Sequence, residues 1–281
     1  MGTSTSSSGG KAGSPFDPEW LDQGDSAGDG GPEDRAGDGA PDDDGGQAQD
    51  APDDGQNPAQ EHDLAPDRRF MPARSKMGKY LSGGGRDALR GAASSMINKG
   101  MGGSRRATST MRGVAQGAGR LGSFLEAVRA GTDPQVVDWI QWIRGLNLSA
   151  NDLALEVIKK VMPDTGSVDD ESLRNAATDA LGQLYEQDPN VDILQLSDQQ
   201  ITSVIGFTIA NEVCNRMDLQ LGQTYEKLKY SPVEIQEFRN DIKEWVHGEV
   251  QRIMEGLVGR RVDPQTLAQA VLQTALEVFA E

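Results

Sequence analysis

Residues 231–257, SPVEIQEFRNDIKEWVHGEVQRIMEGL, contain the longest regular pattern in the sequence and decide its fold class. Ser231 and Glu234 fit a capping box, with proline at the first helical position. The apolar residues that follow recur every three or four positions for about six turns. These apolar positions are Ile235, Phe238, Ile242, Val246, Val250, Ile253 and Leu257. The pattern predicts a long amphipathic helix with one buried face.

The same signal, a cap residue followed by an apolar stripe of helical spacing, recurs elsewhere between residues 121 and 281. The predicted caps are Asp133, Ser149, Ser167, Ser197 and Asp263. No comparable stretch alternates apolar and polar residues with the period of a half-buried strand. The sequence therefore predicts an all-α protein with a C-terminal bundle of six or seven amphipathic helices, which stabilise one another by mutual burial.

Charge is distributed very unevenly along the chain. Residues 17–67 carry 17 acidic residues and one basic residue, whereas residues 68–120 carry 12 basic residues and one acidic residue. The acidic stretch has almost no large apolar side chains, so burial cannot offset the entropy cost of ordering it. We predict a disordered tail with an acidic linker at 1–67, a basic, glycine-rich and partly helical adaptor segment at 68–120, and an α-helical interaction domain at 121–281.

Composition argues against several function classes. A single cysteine, Cys214, excludes an intramolecular disulfide framework and a cysteine-rich metal site. The two histidines, His62 and His247, lie far apart in the sequence. The first residues lack the features of a secretory signal, and no stretch has the ~18 consecutive apolar residues of a membrane span. We expect a cytoplasmic protein that is not an enzyme, with no metal, no noncovalent cofactor and no membrane association.

The segment Gly117-Ala-Gly119-Arg-Leu-Gly122 matches the glycine pattern of a dinucleotide-binding loop. That loop requires a preceding buried strand, and residues 109–116 are small and polar instead. We therefore predict a helix over residues 106–130, in which the small residues at 115, 119 and 123 let another backbone approach closely.

Three other residue types invite functional hypotheses. Trp139 and Trp142 are spaced for packing in the core or at its rim, and otherwise would anchor a partner. Cys214 directly follows Val213 and lies on the apolar face of a predicted helix, which indicates a small buried side chain. For His247 we predict an exposed or half-buried position without a catalytic role.

The basic segment is the first candidate functional site. Its twelve positive charges, which are interleaved with aromatic residues such as Phe70 and Tyr80, could neutralise nucleic-acid phosphates, the adjacent acidic linker or an acidic protein. The segment could become ordered on the C-terminal domain, on a partner or on nucleic acid. The partner-binding candidates are Trp20, Arg68, Arg69, Arg74, Lys79, Tyr80, Arg90, Arg105 and Arg106.

Gly2 is the second candidate, as a site of modification. Removal of Met1 would leave an unbranched α-amine with a pKa of about 7.7–8.0, against about 10.4 for lysine, so a usable fraction is an unprotonated nucleophile. The amine heads a tail of Ser, Thr and Gly that could enter another enzyme's site. The start also fits the loose myristoylation pattern, but only Lys11 follows closely, so stable membrane anchoring is not expected.

In combination, the front segments resemble the QatB component of the Qat anti-phage defence system. The residues that carry the resemblance are Met1–Ser4, Gly13-Ser-Pro15, Trp20, Lys79-Tyr80, Ser82–Gly84, Ala88–Arg90, Gly100–Ser104, Arg106 and Met111. The sequence departs from the family pattern in its long acidic linker and in the run Pro15-Phe-Asp-Pro-Glu-Trp20, where the family has two prolines directly before the tryptophan.

The resemblance implies a non-catalytic subunit that works beside a QueC-like enzyme, a KAP-type P-loop ATPase and a TatD-like nuclease. QueC-like enzymes adenylate a 7-deazaguanine carboxylate and pass it to an amine as an amide. On this resemblance, Gly2 would carry a covalent 7-deazaguanine, and Trp20 and the basic segment would dock the other components. The alternative function is a nucleic-acid-binding accessory protein that uses residues 68–120.

Overall fold

The computed structural model describes residues 68–162, 166–257 and 262–281. The chain divides into two units, Met1–Asp67 and Arg68–Glu281, and the described residues all belong to the second. Within them the regular elements are helical, which confirms the predicted fold class. The α-helices are α1 (Met71–Lys79), α2 (Gly85–Ser95), α3 (Ser104–Thr110), α4 (Arg112–Ala130), α5 (Pro134–Gly145), α6 (Ala150–Val161), α7 (Val168–Gln187), α8 (Asp198–Leu221), α9 (Gln223–Leu228), α10 (Pro232–Leu257) and α11 (Pro264–Ala280).

The predicted caps begin the helices of the C-terminal part. Side-chain oxygens of four of them accept hydrogen bonds from backbone amides in the first turn; these caps are Asp133, Ser149, Ser197 and Asp263. Ser231 and Glu234 form the predicted reciprocal pair at the start of α10, with each side chain accepting from the other's backbone amide. These bonds satisfy amides that have no partner inside the helix, which is why the sequence located the helix starts so well.

Helix α8 lies at the centre of the helical body. Val204, Ile205, Ile209 and Ala210 are fully buried, and the helix packs against α4, α7, α10 and α11. Thr208 is also buried, and its hydroxyl donates to the carbonyl of Val204 over 2.8 Å, so its polar atom is satisfied within the helix. The apolar faces of four helices are thus buried on a single one, which supplies the stability that separate helices lack.

The α4 and α11 backbones approach closely at the glycine-rich part of α4. A Cβ on Gly119 would lie 2.8 Å from the Cα of Gln265, and one on Gly122 would lie 2.9 Å from the Cβ of Pro264. The prediction of a close approach is confirmed at position 119, whereas Ser123 is exposed. The glycine pattern lies inside a helix and follows α3, so it does not form a dinucleotide-binding loop.

The basic segment is built into the same compact unit as the remaining helices. The sequence placed a boundary between residues 120 and 121, but α4 runs continuously through it and one unit extends from Arg68 to Glu281. Apolar residues between the basic ones, including Met77, Leu89 and Ile97, are buried in the common core. Of the three ways in which this segment could become ordered, packing on the C-terminal domain is therefore realised.

Local details differ from the predicted helix bounds. The helix expected over 106–130 is interrupted at Met111, which has φ −94° and ψ 15°. The chain kinks at Ser82 and Gly83, where Gly83 has φ 92°, between α1 and α2, and a π-helical turn at Met96–Gly100 follows α2. The short helix α9 was not predicted. None of the helices within the described ranges is both long and apolar enough to cross a membrane.

Candidate functional site

The first part of the basic segment, residues 68–100, packs against α10 through an aromatic cluster of Tyr80, Tyr230 and Phe238. Tyr80 is buried, packs edge-on against Phe238 at 5.9 Å between ring centroids, and donates its hydroxyl to Asp241 over 3.1 Å. Tyr230 packs edge-on against the same ring at 5.1 Å and donates its hydroxyl to the carbonyl of Leu81 over 2.7 Å. Burial and the Asp241 carboxylate raise the pKa of Tyr80, so the phenol remains a donor. The structure thus places Tyr80 in an internal contact.

Several positive charges of this first part have partners inside the protein. Arg74 donates through Nε to the carbonyl of Gln220 over 2.8 Å, and Arg86 lies 3.4 Å from Glu244. Arg90 lies 3.9 Å from Glu249, a buried carboxylate that Arg252 also contacts at 2.6 Å. A buried carboxylate requires charged or hydrogen-bonding partners, and Arg252 with the more distant Arg90 supplies them to Glu249.

The other predicted partner-binding residues are distributed over several elements. Arg68, Lys79, Arg105 and Arg106 are exposed, and the guanidinium of the half-buried Arg69 lies over the ring of Phe70 at 5.1 Å from its centroid. The structure therefore brings Tyr80 and Arg90 to the α10 side of the body, and it places Arg105 and Arg106 on α3. The remaining two predicted site residues, Gly2 and Trp20, lie outside the described residues.

Helices α3 and α4 expose a set of arginines that the sequence analysis did not single out as a group. We call Arg105, Arg112 and Arg120 the arginine row. The buried positions continue with helical spacing across the junction at Met111, and they are Ala107, Met111, Ala115 and Ala118. The exposed positions 105, 112, 116 and 120 consequently share the opposite face. The spacing of Arg112, Gln116 and Arg120, four residues apart each time, was the available sequence signal.

The charge of the arginine row is not neutralised by an acidic side chain of the described ranges. Among the described residues, none of its three members has an acidic partner; Arg120 makes a hydrogen bond through Nε to the carbonyl of Gln116, one turn earlier, over 3.4 Å. Glu126 is the one acidic residue in residues 104–130, and Glu277 is the one acidic residue in residues 264–280 of the neighbouring α11. This face is therefore locally basic in a chain whose formal net charge is −17.

The two tryptophans of α5 have different environments. Trp139 is buried and packs edge-on against Phe124 at 5.2 Å between ring centroids. Trp142 is 53% exposed, and Leu146, four residues later, is also exposed. The predicted core role thus applies to Trp139, while Trp142 lies on the surface, where a partner could contact it.

A cavity of 720 Å³ lies where α4 and α10 end and where α8 and α11 begin. Its lining is apolar on the inside, with Ile201, Ile205, Met254, Leu257 and Leu267 among its residues. At its rim, Arg129 forms an ion pair with Asp198, and Asp263 accepts hydrogen bonds from the first turn of α11. These bonds lower the pKa of the Asp263 carboxyl, so it is an ionised cap and not a proton donor.

His247 belongs to a polar contact between α8 and α10. Its Nε2 lies 2.9 Å from Oδ1 of Asn211, whose Nδ2 donates to the carbonyl of Ala176 over 3.0 Å. Because the amide of Asn211 is oriented by that second bond, its oxygen accepts from His247 and fixes the Nε2–H tautomer. Burial, with a smaller effect from Lys243, lowers the pKa of His247 to about 4. The imidazole, which is half-buried, is therefore neutral at neutral pH.

We predict that His247 makes the protein less stable in mild acid. In the unfolded chain the imidazole is protonated below its ordinary pKa of 6.5, whereas in the folded protein it is protonated only below about pH 4. The free energy of unfolding should fall over this interval by on the order of 2 kcal/mol, after allowance for partial exposure.

The measurement is urea unfolding of wild type and His247→Gln between about pH 7 and about pH 4. Glutamine keeps a donor for Asn211 and does not titrate, so the stability difference between the two proteins isolates this residue. Parallel losses in both proteins over the whole interval would contradict the assignment.

Burial also determines the state of Cys214 and Glu212 on α8. Burial raises the pKa of the Cys214 thiol to about 12, so it stays protonated at neutral pH. Burial likewise raises the pKa of Glu212, whose carboxylate accepts from Ser172 on α7 over 2.7 Å and joins the two helices. Among the described residues, no group of three or more His, Cys, Asp or Glu could hold a metal ion.

Comparison with known proteins identifies the helical body. A family model described as Qat anti-phage system associated protein QatB matches residues 102–279. No curated protein and no solved structure matched the chain. The match begins just before α3 and ends near the end of α11, so it covers mainly helices that the sequence resemblance, with its residues in 1–20 and 79–111, had left aside. Because it extends over more than half of the 281 residues, the chain belongs to the QatB family of Qat anti-phage systems.

Proposed function

We propose that this component of an anti-phage defence system is a non-catalytic subunit and a protein substrate, modified at Gly2 by a QueC-like partner enzyme. The observation that carries the proposal is membership of the QatB family, since it makes other Qat components the partners. The sequence adds a suitable acceptor, a glycine α-amine at the head of a Ser, Thr and Gly tail. In the helical body, the His247 imidazole and the Cys214 thiol have structural environments, which favours a non-catalytic role.

The proposed reaction is amide formation. The partner would use ATP to convert a 7-deazaguanine carboxylate into an acyl adenylate, with release of pyrophosphate. The unprotonated amine of Gly2 would then attack the acyl carbon, so that the N–C bond forms, the C–O bond to AMP breaks and a proton passes to solvent. A lysine amine is a poor competitor near neutral pH because its pKa of about 10.4 leaves very little of it unprotonated.

The other docking elements complete the proposal. Trp20 and the exposed bases Arg68, Lys79 and Arg106 would contact the remaining components, among them a KAP-type ATPase and a TatD-like nuclease. Trp142 is a further surface residue suited to a protein partner, since exposed tryptophans are frequent anchors of interfaces.

We expect intact-mass measurement to show a gain of one deazaguanine amide when the full chain is co-expressed with its QueC-like partner. Fragmentation should place the added mass on Gly2. The variant Gly2→Pro, which replaces the primary amine by a hindered secondary one, should remain unmodified.

Two control variants make this experiment specific. Gly9→Pro changes the same tail without touching the amine, and Lys11→Arg removes the nearest lysine amine; both should be modified like wild type. An unmodified Gly2 in co-expressed wild type would refute the proposal, and so would equal modification of Gly2→Pro.

A further inference from the structure

We infer that the arginine row on α3 and α4 binds the phosphate backbone of double-stranded nucleic acid, independently of base sequence. The starting observation is that the row consists of exposed arginines without acidic partners among the described residues, whereas Arg86 and Arg90 are matched by acidic residues of α10. Nucleic-acid binding by the basic segment is thereby assigned to the arginine row in its second part, residues 101–120.

The residues around the row are suited to phosphates. The exposed residues of α11 include Thr266 and Gln269, which are uncharged donors, whereas the amide of Gln273 donates to the exposed Glu277 over 2.9 Å. Gln265 of α11 donates to the carbonyl of Gln116 over 3.4 Å, so a polar contact joins the two helices beside the row. Arginine, threonine and glutamine side chains are typical contacts to phosphate oxygens in protein complexes with nucleic acids.

The geometry matches a polymer of regularly spaced charges. Arg112 and Arg120 are eight residues apart on one helix, which corresponds to about 12 Å along its axis. A duplex carries one negative charge per ~1.7 Å of its length, so each guanidinium can contact a different phosphate. Charges elsewhere on the protein act weakly at this surface, because salt screens them beyond ~8 Å.

The absence of apolar residues selects duplex nucleic acid over the other polyanions. The exposed large hydrophobic residues of the described chain are Met71, Trp142, Leu146, Leu155, Val168, Leu219, Leu228 and Val233, and none of them lies on α3, α4 or α11. A protein partner would need apolar anchors at the centre of its interface. Single strands bind largely by stacking their bases on aromatic side chains. Neither feature is present on this face among the described residues.

The test is fluorescence anisotropy of the full chain with a labelled DNA duplex of about 30 base pairs, over about 50–200 mM salt. Three phosphate contacts predict a slope of about −2.7 for log Kobs against log salt, which is a loss of about 40-fold over this range. The triple variant Arg105→Gln, Arg112→Gln, Arg120→Gln should bind far more weakly, with a slope near zero.

Matched variants distinguish an effect of the position of the arginines from an effect of the protein's total charge. Lys76→Gln, Lys99→Gln, Lys160→Gln removes an equal number of charges from exposed positions outside the arginine row and should keep the wild-type slope. Replacement of the three arginines by lysine should also retain salt-dependent binding, and circular dichroism should show the same helix content in every variant.

Three outcomes would overturn the inference. The first is no binding of the duplex by wild type at about 50 mM salt. The second is an equal loss of binding in the lysine-to-glutamine variant. The third is tighter binding of single-stranded DNA or of polyglutamate than of the duplex at equal charge, which would assign the surface to a single strand or to an acidic protein.

Discussion

Replacing Tyr80 by alanine is expected to lower the free energy of unfolding by about 3–5 kcal/mol, the range for removing a large buried aromatic side chain. The ring is buried and packs on Phe238, and its hydroxyl donates to Asp241. The cavity left by alanine would also weaken the packing of Tyr230, because Tyr230 and Tyr80 contact the same ring of Phe238. Urea unfolding followed by circular dichroism provides the measurement.

The control for this substitution is Tyr80→Phe, which keeps the ring and removes the hydroxyl. Because Asp241 is exposed and can be rehydrated, we expect a loss of only about 1 kcal/mol. If residues 68–100 were instead a separate adaptor, Tyr80→Ala would leave the unfolding of the helical body unchanged. The size of the effect therefore tests whether the basic segment belongs to the cooperative unit.

Gly119→Ala is expected to destabilise the protein by about 3 kcal/mol, the upper part of the range for overfilled cores. The added Cβ would lie 2.8 Å from the Cα of Gln265 and 2.6 Å from its Oε1. A backbone atom cannot move aside as a side chain can, so α4 and α11 would have to separate. This would also disturb the polar contact that joins the two helices beside the arginine row.

Gly248→Ala is the matched control, since it makes the same chemical change in the middle of a helix. Gly248 is exposed on α10, and a Cβ there would meet no atom within 4 Å. Alanine favours the helix over glycine, so this variant should gain up to about 1 kcal/mol. Equal effects of the two substitutions, measured by thermal or urea unfolding, would contradict the close packing of α4 on α11.

Much of the fold was predictable because local chemistry specifies helix starts. A cap such as Ser197, followed three residues later by Gln200, satisfies amides at a helix end regardless of the rest of the protein. Apolar spacing likewise marked the buried faces of α8 and α10. The short helix α9 has too few residues to display a stripe, and the interruption at Met111 has no sequence marker, so both were missed.

The candidate site was predictable only in part. Charge identified the basic segment, but Tyr80 was chosen as a docking residue and is engaged with Asp241, which lies 161 positions away in the sequence. Arg105, Arg112 and Arg120 could be grouped only once the structure showed which sides of α3 and α4 are buried against α11 and which remain exposed. Composition measures how many charges a segment has, and it contains no information on which of them meet a partner across the core.

By itself the sequence determined the all-helical class, the ends of the long helices and the opposite charges of the two front segments, because caps, periodicity and composition are local properties. Tertiary structure alone decided that residues 68–120 join the helical body, which bases are paired and which face of α3 and α4 stays open. These outcomes depend on contacts between residues far apart in the chain, such as Tyr80 with Phe238 and Gly119 with Gln265, and local patterns do not encode such pairings.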